Sequence, residues 1–258
     1  MTKSANNGIR PGGRLRQLTN GLKSTPLHPQ WLTHRLKSGR DKWIIKHARG
    51  SILDIGCADR FAEELLNSDS YTGLDYPETG EMMYGARPDV FGAAERLPFA
   101  PDSFDTVLLL EVLEHVVDDD SVLKEIARVM KPKGQLLLSI PFFYPVHDAP
   151  HDYRRLTPFG LQNALHRAGL RLSSVSAENP GLVAAAQTIA ISLAHTLVNR
   201  RHPGWLRLLL APACIPAIWA SNLLGFLAQA LTLSSAEAFD EMLATGYRLV
   251  ATRLPQHE

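Results

Sequence analysis

The sequence predicts an α/β fold: a doubly wound, mostly parallel sheet of seven strands, with helices on both faces and a C-terminal helical insertion before the last strand. Three observations predict it. From residue 51, short apolar runs alternate with helical stretches, the pattern of strand-helix-strand units. One such run, ILDIG, enters a glycine turn and then a helix, and 19 residues after Gly56 the next run ends on an acid, Asp75. A heavily apolar block over residues 181–233, poor in acids, is followed by renewed strand-like alternation at 247–252, which places helices between the last two strands of one sheet.

Residues 1–26 carry Gly8, Pro11, Gly12, Gly13, Gly21 and Pro26 among few apolar positions, and read as a flexible basic arm. From Gln30 to His47, Trp31, Leu32, Leu36, Trp43, Ile44 and Ile45 fall loosely on helical spacing. One or two helices therefore lead into the first strand, and with the strands up to residue 178 they make the expected core domain, 27–178. Strands are expected at 51–55, 71–75, 89–92, 104–110, 135–140 and 170–176, with the seventh at 247–252. Helical periodicity marks 61–66 and 121–130, the second preceded by Asp118, Asp119 and Asp120, whose carboxylates suit a helix N-terminus. Lys131, Pro132 and Gly134 stop that helix, and the buried run LLLSI follows at once. A further helix spans 158–168, closed by Gly169. The insertion then occupies 179–243, and 244–258 holds the final strand and tail.

With 258 residues, 45% of them apolar and 21% charged, the chain can bury a sizeable core, which excludes a disordered, collagenous or acidic-tail protein. Cys57 and Cys214 form neither a disulfide framework nor a Cys/His metal spacing, so a reducing compartment and no metal are expected. The N-terminus has no apolar signal core, and a cytoplasmic location follows as the expectation. The net charge of +1 hides an asymmetry. Residues 1–50 hold eleven Lys/Arg and a single acid, Asp41, against 16 basic and 25 acidic residues in the remainder. Such an arm can meet nucleic acid, anionic lipid or the acidic body of its own protein.

The segment ILDIGCADR, residues 52–60, offers what a nucleotide-type cofactor needs: a glycine for close backbone approach and a helix N-terminus with unpaired N–H groups. Asp75 stands where an acid accepts both hydroxyls of a ribose. The order LDIGC (53–57), GLDY (73–76), ERLPFAPDSFD (95–105), EVLEH (111–115) and KPKG (131–134) resembles the class I S-adenosylmethionine-dependent methyltransferases, type 11-like, over residues 51–178. The resemblance implies a Rossmann-like fold, methyl transfer and S-adenosyl-L-methionine as cofactor. It further implies that Asp54 and Gly56 hold the turn under the methionine moiety, with Cys57 and Ala58 contributing backbone. Asp75 would bind the ribose, Tyr76 would lie along the adenosine, and Ala93, Ala94 and Glu95 would line the adenine. Glu111 would face the methionine or the substrate, with His115 beside it. Three departures stand out: Ala58 and Arg60 replace the second and third glycines of the family turn, and Ala93 replaces the usual adenine-side acid. They motivate a competing reading, a cofactor-binding or regulatory protein of the same fold that does not turn over.

After the fifth strand, residues 147–155 pack two histidines, two aspartates, a tyrosine and two arginines into nine positions. His147, His151, Asp152, Tyr153 and Arg154 are the candidate catalytic residues: a histidine as general base for a hydroxyl or amine, and Arg154 or Arg155 for an anionic group of the acceptor. The alternative is a network that only fastens the loop. The acceptor is expected to be small or linked to a lipid or glycan. No Asn-Pro-Pro-Tyr or Asp-Pro-Pro-Tyr follows the fourth strand, so nucleic acid is disfavoured as a partner.

Residues 205–233 contain one charge, Arg207, and are long enough to span a bilayer. A single span would put the seventh strand on the wrong side of its own sheet, and a hairpin would place Asn199, Arg200, Arg201 and His202 outside. Three uses remain for the block: ordinary packing, peripheral contact with the cytoplasmic membrane face, or a homodimer interface.

Overall fold

A computed structural model of the chain describes residues 20–68, 70–78, 86–199, 201–231 and 243–254. Most of the expected basic arm and the last part of the insertion, 232–242, lie outside these residues. The chain divides into two compact units. One gathers the described residues up to Lys37, the loop Tyr144–Asp152, and those from Gly181 through the second insertion helix. The other gathers Ser38–Phe143, Tyr153–Pro180 and the C-terminal strand.

The larger unit is built on seven strands: β1 Ile52–Ile55, β2 Tyr71–Asp75, β3 Val90–Phe91, β4 Phe104–Leu110, β5 Met130–Pro141, β6 Leu170–Glu178 and β7 Gly246–Arg253. They lie in the order β3-β2-β1-β4-β5-β7-β6. Neighbours from β3 to β5 run parallel, whereas β7 pairs antiparallel with both β5 and β6. The order reverses between β1 and β4, which opens a crevice beyond their carboxyl ends.

Period-two alternation sorts the core into two layers. On one face Leu53, Ile55, Val107, Leu109, Leu136, Leu138, Leu249 and Ala251 pack with Val122, Leu123 and Ile126 of a helix at Asp119–Val129 and Leu161, Ala164 and Leu165 of one at Pro158–Arg167. On the other face Ile52, Leu108, Leu137 and Val250 meet Trp43 of the helix Lys37–His47 and Phe61, Ala62 and Leu66 of the helix Phe61–Leu66. In chain order these helices are α2 (Lys37–His47), α3 (Phe61–Leu66), α4 (Asp119–Val129) and α5 (Pro158–Arg167); α1 precedes them at Trp31–Arg35, and α6 (Leu182–Val198) and α7 (Gly204–Leu231) form the insertion. Strands buried on both faces explain why β1, β4 and β5 read as nearly unbroken apolar runs.

Local signals fix most boundaries. The Asp118 carboxylate accepts from Ser121 N–H at the start of α4, and the Thr157 hydroxyl caps α5 through Gly160 N–H ahead of Pro158. β5 begins at Met130, five residues before the expected Gln135, because Met130 pairs with Phe104 before a register shift brings Gln135 opposite Thr106. Gly134 passes this bulge where a Cβ would lie 2.8 Å from Lys131 O.

The smaller unit joins α1 to α6 and α7. Trp31 and Leu32 are buried with Val183 and Ala186, and the Trp31 ring meets Phe226 at 5.5 Å. At Gly225 an added Cβ would stand 2.7 Å from Leu32 Cδ1 and 2.9 Å from the Ala186 Cβ, so glycine sets the closeness of this crossing. The polar residues of α7 face the same way: the Ser221 hydroxyl donates to Ala186 O at 2.9 Å, and the Asn222 amide donates to Pro26 O and His28 O at 2.7 and 3.0 Å. The bounds thus differ from the expected domains, since the first helix groups with the insertion and not with the core it precedes.

Candidate active site

The turn leaving β1 sits at the crevice. Gly56 has φ +76° and no room for a side chain, since a Cβ would stand 2.4 Å from Val112 Cγ2. Ala58 (φ 45°) and Arg60 (φ 58°) are also left-handed, the conformation that glycine adopts freely and other residues hold at roughly 1–2 kcal/mol each. The glycine-type backbone is therefore kept without the glycines, and other contacts hold it. Ala58 N–H donates to Asp75 Oδ2 at 2.9 Å. Arg60, which opens α3, pairs with Glu63 at 2.6 Å and with Asp89 at 3.0 Å, and its guanidinium lies 5.2 Å from the Tyr71 ring centre. The sequence marked these two positions as departures from the family turn; the structure shows left-handed backbone at both, held by a hydrogen bond at Ala58 and by ion pairs at Arg60.

Asp75, buried at the end of β2, also accepts Tyr76 N–H on Oδ1 at 2.8 Å. Two backbone donors fix the carboxylate, and about two of its four acceptor sites stay uncommitted by them, which is the pattern a ribose diol requires. Beneath it Asp54, 2% exposed, accepts the Tyr71 hydroxyl at 2.5 Å. Burial pushes the Asp54 carboxyl up to about 6 against the opposing pull of the Tyr71 hydrogen bond. Cys57 is buried and its thiol is pushed up to about 12, first by burial and then by the Asp54 and Asp75 carboxylates, so it stays a neutral packing group. The Ala93–Glu95 stretch, with Ala94 buried, leads into a segment pinned by α4: Glu125 accepts Leu97 N–H at 2.8 Å, and Arg128 donates to Leu97 O and Phe99 O at 3.0 and 2.8 Å.

Glu111 follows β4 with φ 58°, and its N–H donates to Ser139 O at 3.0 Å. The residue is exposed, yet protein atoms surround its carboxyl. Burial pushes the carboxyl up to about 7 and Glu178 adds to the rise, while Arg40 and Arg155 oppose it. Glu178 at the end of β6 is itself held up by burial and pairs with Arg248 of β7 at 3.0 Å. Arg248 in turn lies 6.0 Å over Trp43, and Arg40 4.3 Å over Phe61, so α2 and α3 steady both cations. None of Glu178, Arg40 and Arg248 was marked by the sequence. Strands β6 and β7 become neighbours only across the long insertion, and no local motif announces the pairing.

The candidate catalytic residues divide between the units. His147 N–H donates to Asp152 Oδ2 at 2.9 Å, its Nδ1 lies 3.2 Å from the same oxygen, and the Tyr144 ring stands edge-on at 5.5 Å. His151 N–H donates to Asp148 O at 3.1 Å. Pro150 keeps this loop from forming a helix, as its sequence implies. In the larger unit Tyr153 N–H donates to Glu114 O at 2.8 Å, and the Tyr153 side chain is exposed. Arg154 donates to Leu113 O, Val116 O and Val117 O at 2.8, 2.6 and 2.8 Å and lies 3.4 Å from Asp119. Its guanidinium secures the segment between β4 and α4. The structure therefore brings His147 and Asp152 together, and gives Arg154 to the protein's own carbonyls.

Comparison with known proteins agrees with this geometry. A family described as "Methyltransferase domain" matches residues 53–138, from β1 into β5. The ubiquinone biosynthesis O-methyltransferase of Dechloromonas aromatica is 32% identical over 123 residues, covering 41% of this chain and 52% of its own. The demethylmenaquinone methyltransferase of Mycolicibacterium paratuberculosis is 49% identical over 116 residues, covering 40% and 50%. The chain thus spans about half the length of these curated relatives. Among solved structures, a SAM-dependent methyltransferase from Thermotoga maritima aligns with TM-score 0.52 at 16% identity, over 94% of this chain and 99% of its own. The cyclase SpnF aligns with TM-score 0.50 at 18% identity, over 84% and 80%. At such identities the structural likeness speaks for the fold alone. Matched segment, strand order and strand-end acid converge: residues 53–138 form a class I S-adenosylmethionine-dependent methyltransferase domain, and the seven-stranded sheet around them has the fold of that class.

Proposed function

We propose that the chain transfers a methyl group from S-adenosyl-L-methionine to an oxygen or nitrogen of a small, or lipid- or glycan-linked, acceptor in the cytoplasm, with peripheral contact at the membrane face. The observation that carries this reading is the turn at 56–60, whose glycine-type conformation is kept at Ala58 and Arg60 and tied to Asp75. The curated relatives carry methyltransferase names, which favours turnover over the alternative that binds the cofactor without transferring its methyl group. When bound, S-adenosylmethionine supplies a methyl group on an electrophilic sulfonium. The chain's residues would do the rest. Asp75 accepts from the ribose hydroxyls, Gly56 to Ala58 present backbone to the methionine moiety above Asp54, and Tyr76, Ala94 and Glu95 border the adenosine.

Alignment and exclusion of water account for much of such a rate, and a base is needed only for a weakly acidic acceptor. Two groups suit that task. Glu111, with its carboxyl near 7, is poised to take a proton at neutral pH. His147, beside Asp152, is the second. The names of the curated relatives favour a small-molecule acceptor, and an oxygen atom in the ubiquinone case. Calorimetry with S-adenosylhomocysteine, followed by transfer of labelled methyl to hydroxyl- and amine-bearing acceptors, tests the reading. Saturable binding and transfer are expected; a folded chain that binds no S-adenosylhomocysteine sinks it.

A further inference from the structure

Helix α7 presents two unlike faces. Cys214, Ile218, Ser221, Asn222 and Gly225 are buried on a single stripe. On the opposite side Trp205, Leu208, Leu209, Pro212, Pro216 and Trp219 are exposed, with Trp205 at 67% and Leu208 at 76%. At about 100° per residue these six fall within roughly 60° of one line along the helix. Only 28% of the residues in the most apolar stretch of α7 are buried. A core helix of that composition is normally mostly covered, so this face calls for an occupant.

Three observations choose among occupants. First, the buried stripe is committed: Asn222 serves Pro26 O and His28 O, and Ser221 serves Ala186 O. A crossing of the bilayer would have to break those bonds. Pro212 and Pro216 also lack N–H groups, which frees the carbonyls of Leu208 and Pro212. Water at a membrane surface satisfies such carbonyls, and hydrocarbon does not. Secondly, the described stretches that flank this face along the chain are free of acids: no Asp or Glu stands between Glu178 and the end of α7 or among residues 20–37, where Lys23 and Arg35 are exposed, and Arg201 is exposed just before α7. A second copy would bring like charges together, whereas an anionic surface is complementary to them. Thirdly, Trp205 and Trp219 lie on the exposed line, and indole rings favour the headgroup level.

We propose that the exposed face of α7 lies flat in the headgroup-acyl boundary of an anionic bilayer, with Trp205, Leu208, Leu209 and Trp219 inserted and the neighbouring Lys and Arg residues against the lipid phosphates and carboxylates. This deepens the peripheral-membrane part of the proposed function and is independent of methyl transfer. An acceptor carried in the membrane would then be met at its surface.

The test uses the full chain with vesicles of phosphatidylcholine, alone or with phosphatidylserine, and follows sedimentation together with tryptophan quenching by lipids brominated on the acyl chain. Binding to the anionic vesicles at low salt is expected, falling steeply with salt by about fivefold for each basic residue screened, with little binding to neutral vesicles. Leu208→Ser together with Leu209→Ser should lower partitioning at least about tenfold, and Trp219→Phe should reduce quenching. These positions are exposed, so melting temperature and S-adenosylhomocysteine affinity should not change. The proposal is overturned if the intact chain stays in the supernatant with anionic vesicles at low salt, or if the double variant binds as tightly. It is equally overturned if light scattering shows a dimer that the double variant dissolves while vesicles are ignored. Vesicle binding by a chain that fails to bind S-adenosylhomocysteine would remove the cofactor reading and leave the membrane face standing.

Discussion

The turn after β1 and the segment after β5 both stand out in the sequence, yet they are built in opposite ways. The turn has few polar side chains, and the ligand-holding role proposed for it rests on backbone conformation: three positive φ angles among five residues, tied down by Asp75, Glu63 and Asp89. The segment after β5 has many polar side chains, and the protein itself consumes a good share of them. Arg154 spends its donors on three carbonyls, and Asp152 engages both the backbone and the ring of His147. Density of functional groups is thus a poor guide to a binding surface. On the proposed reading, strain held in place by hydrogen bonds and ion pairs is a better one.

If the turn governs binding and the loop governs rate, substitutions should separate along that line. The largest effect is expected from His147→Ala: a fall in turnover of about 10²–10⁴ with S-adenosylhomocysteine affinity unchanged. Parental turnover in that variant would reduce the loop to a fastening. Asp75→Ala should weaken cofactor affinity by about 10²–10⁴, since two charge-assisted hydrogen bonds of roughly 1.5–3 kcal/mol each are at stake. Calorimetry on the folded variant decides it, and an unchanged affinity would move the ribose elsewhere.

A third expectation concerns pH. The folded state holds the Asp54 proton more tightly than the unfolded chain, with the carboxyl raised from 3.8 to about 6. Its contribution is therefore fully present below the lower value and is lost as pH rises through the higher one. About 2–3 kcal/mol of stability should disappear across that window, and Asp54→Asn should flatten the profile measured by denaturant titration. The smallest effect is expected from Ala58→Gly. Relief of the left-handed strain is partly cancelled by the greater freedom of glycine in the unfolded chain, leaving a gain of at most about 1 kcal/mol. A clear loss of stability there would mean that the alanine methyl packs usefully.

What the sequence revealed follows the range of the interactions involved. β2 and β4 have the expected bounds, Tyr71–Asp75 and Phe104–Leu110, and so does the helix Phe61–Leu66, because apolar period and turn residues are local. The start of β5 was misplaced, since Met130 enters the sheet by pairing with Phe104 and not through its own apolar pattern. The strand-end acid was legible because spacing along the chain defines it. The carboxyl pair of Glu111 and Glu178, with Arg40, Arg155 and Arg248 about it, was not, since these five residues come from five separate segments. The partner of α1 was hidden for the same reason: Trp31 and Leu32 find Val183, Ala186 and Phe226 far along the chain.

The pairing of Glu178 with Gly246 has a consequence for the history and the engineering of this chain. The polypeptide leaves the sheet after one of these residues and returns directly beside it, and Thr245 N–H closes onto Glu178 O at 2.9 Å while its hydroxyl does so at 3.0 Å. Antiparallel neighbours so placed are the two arms of a hairpin, and a two-residue turn can join them without disturbing the ladder. Everything from Asn179 to Ala244 is then a cassette hung on a ready-made hinge. Because the entropy of closing a loop grows only with the logarithm of its length, such a cassette can be enlarged, exchanged or removed at small cost to the sheet. A lineage could thus acquire a new place to work while leaving its catalytic scaffold untouched.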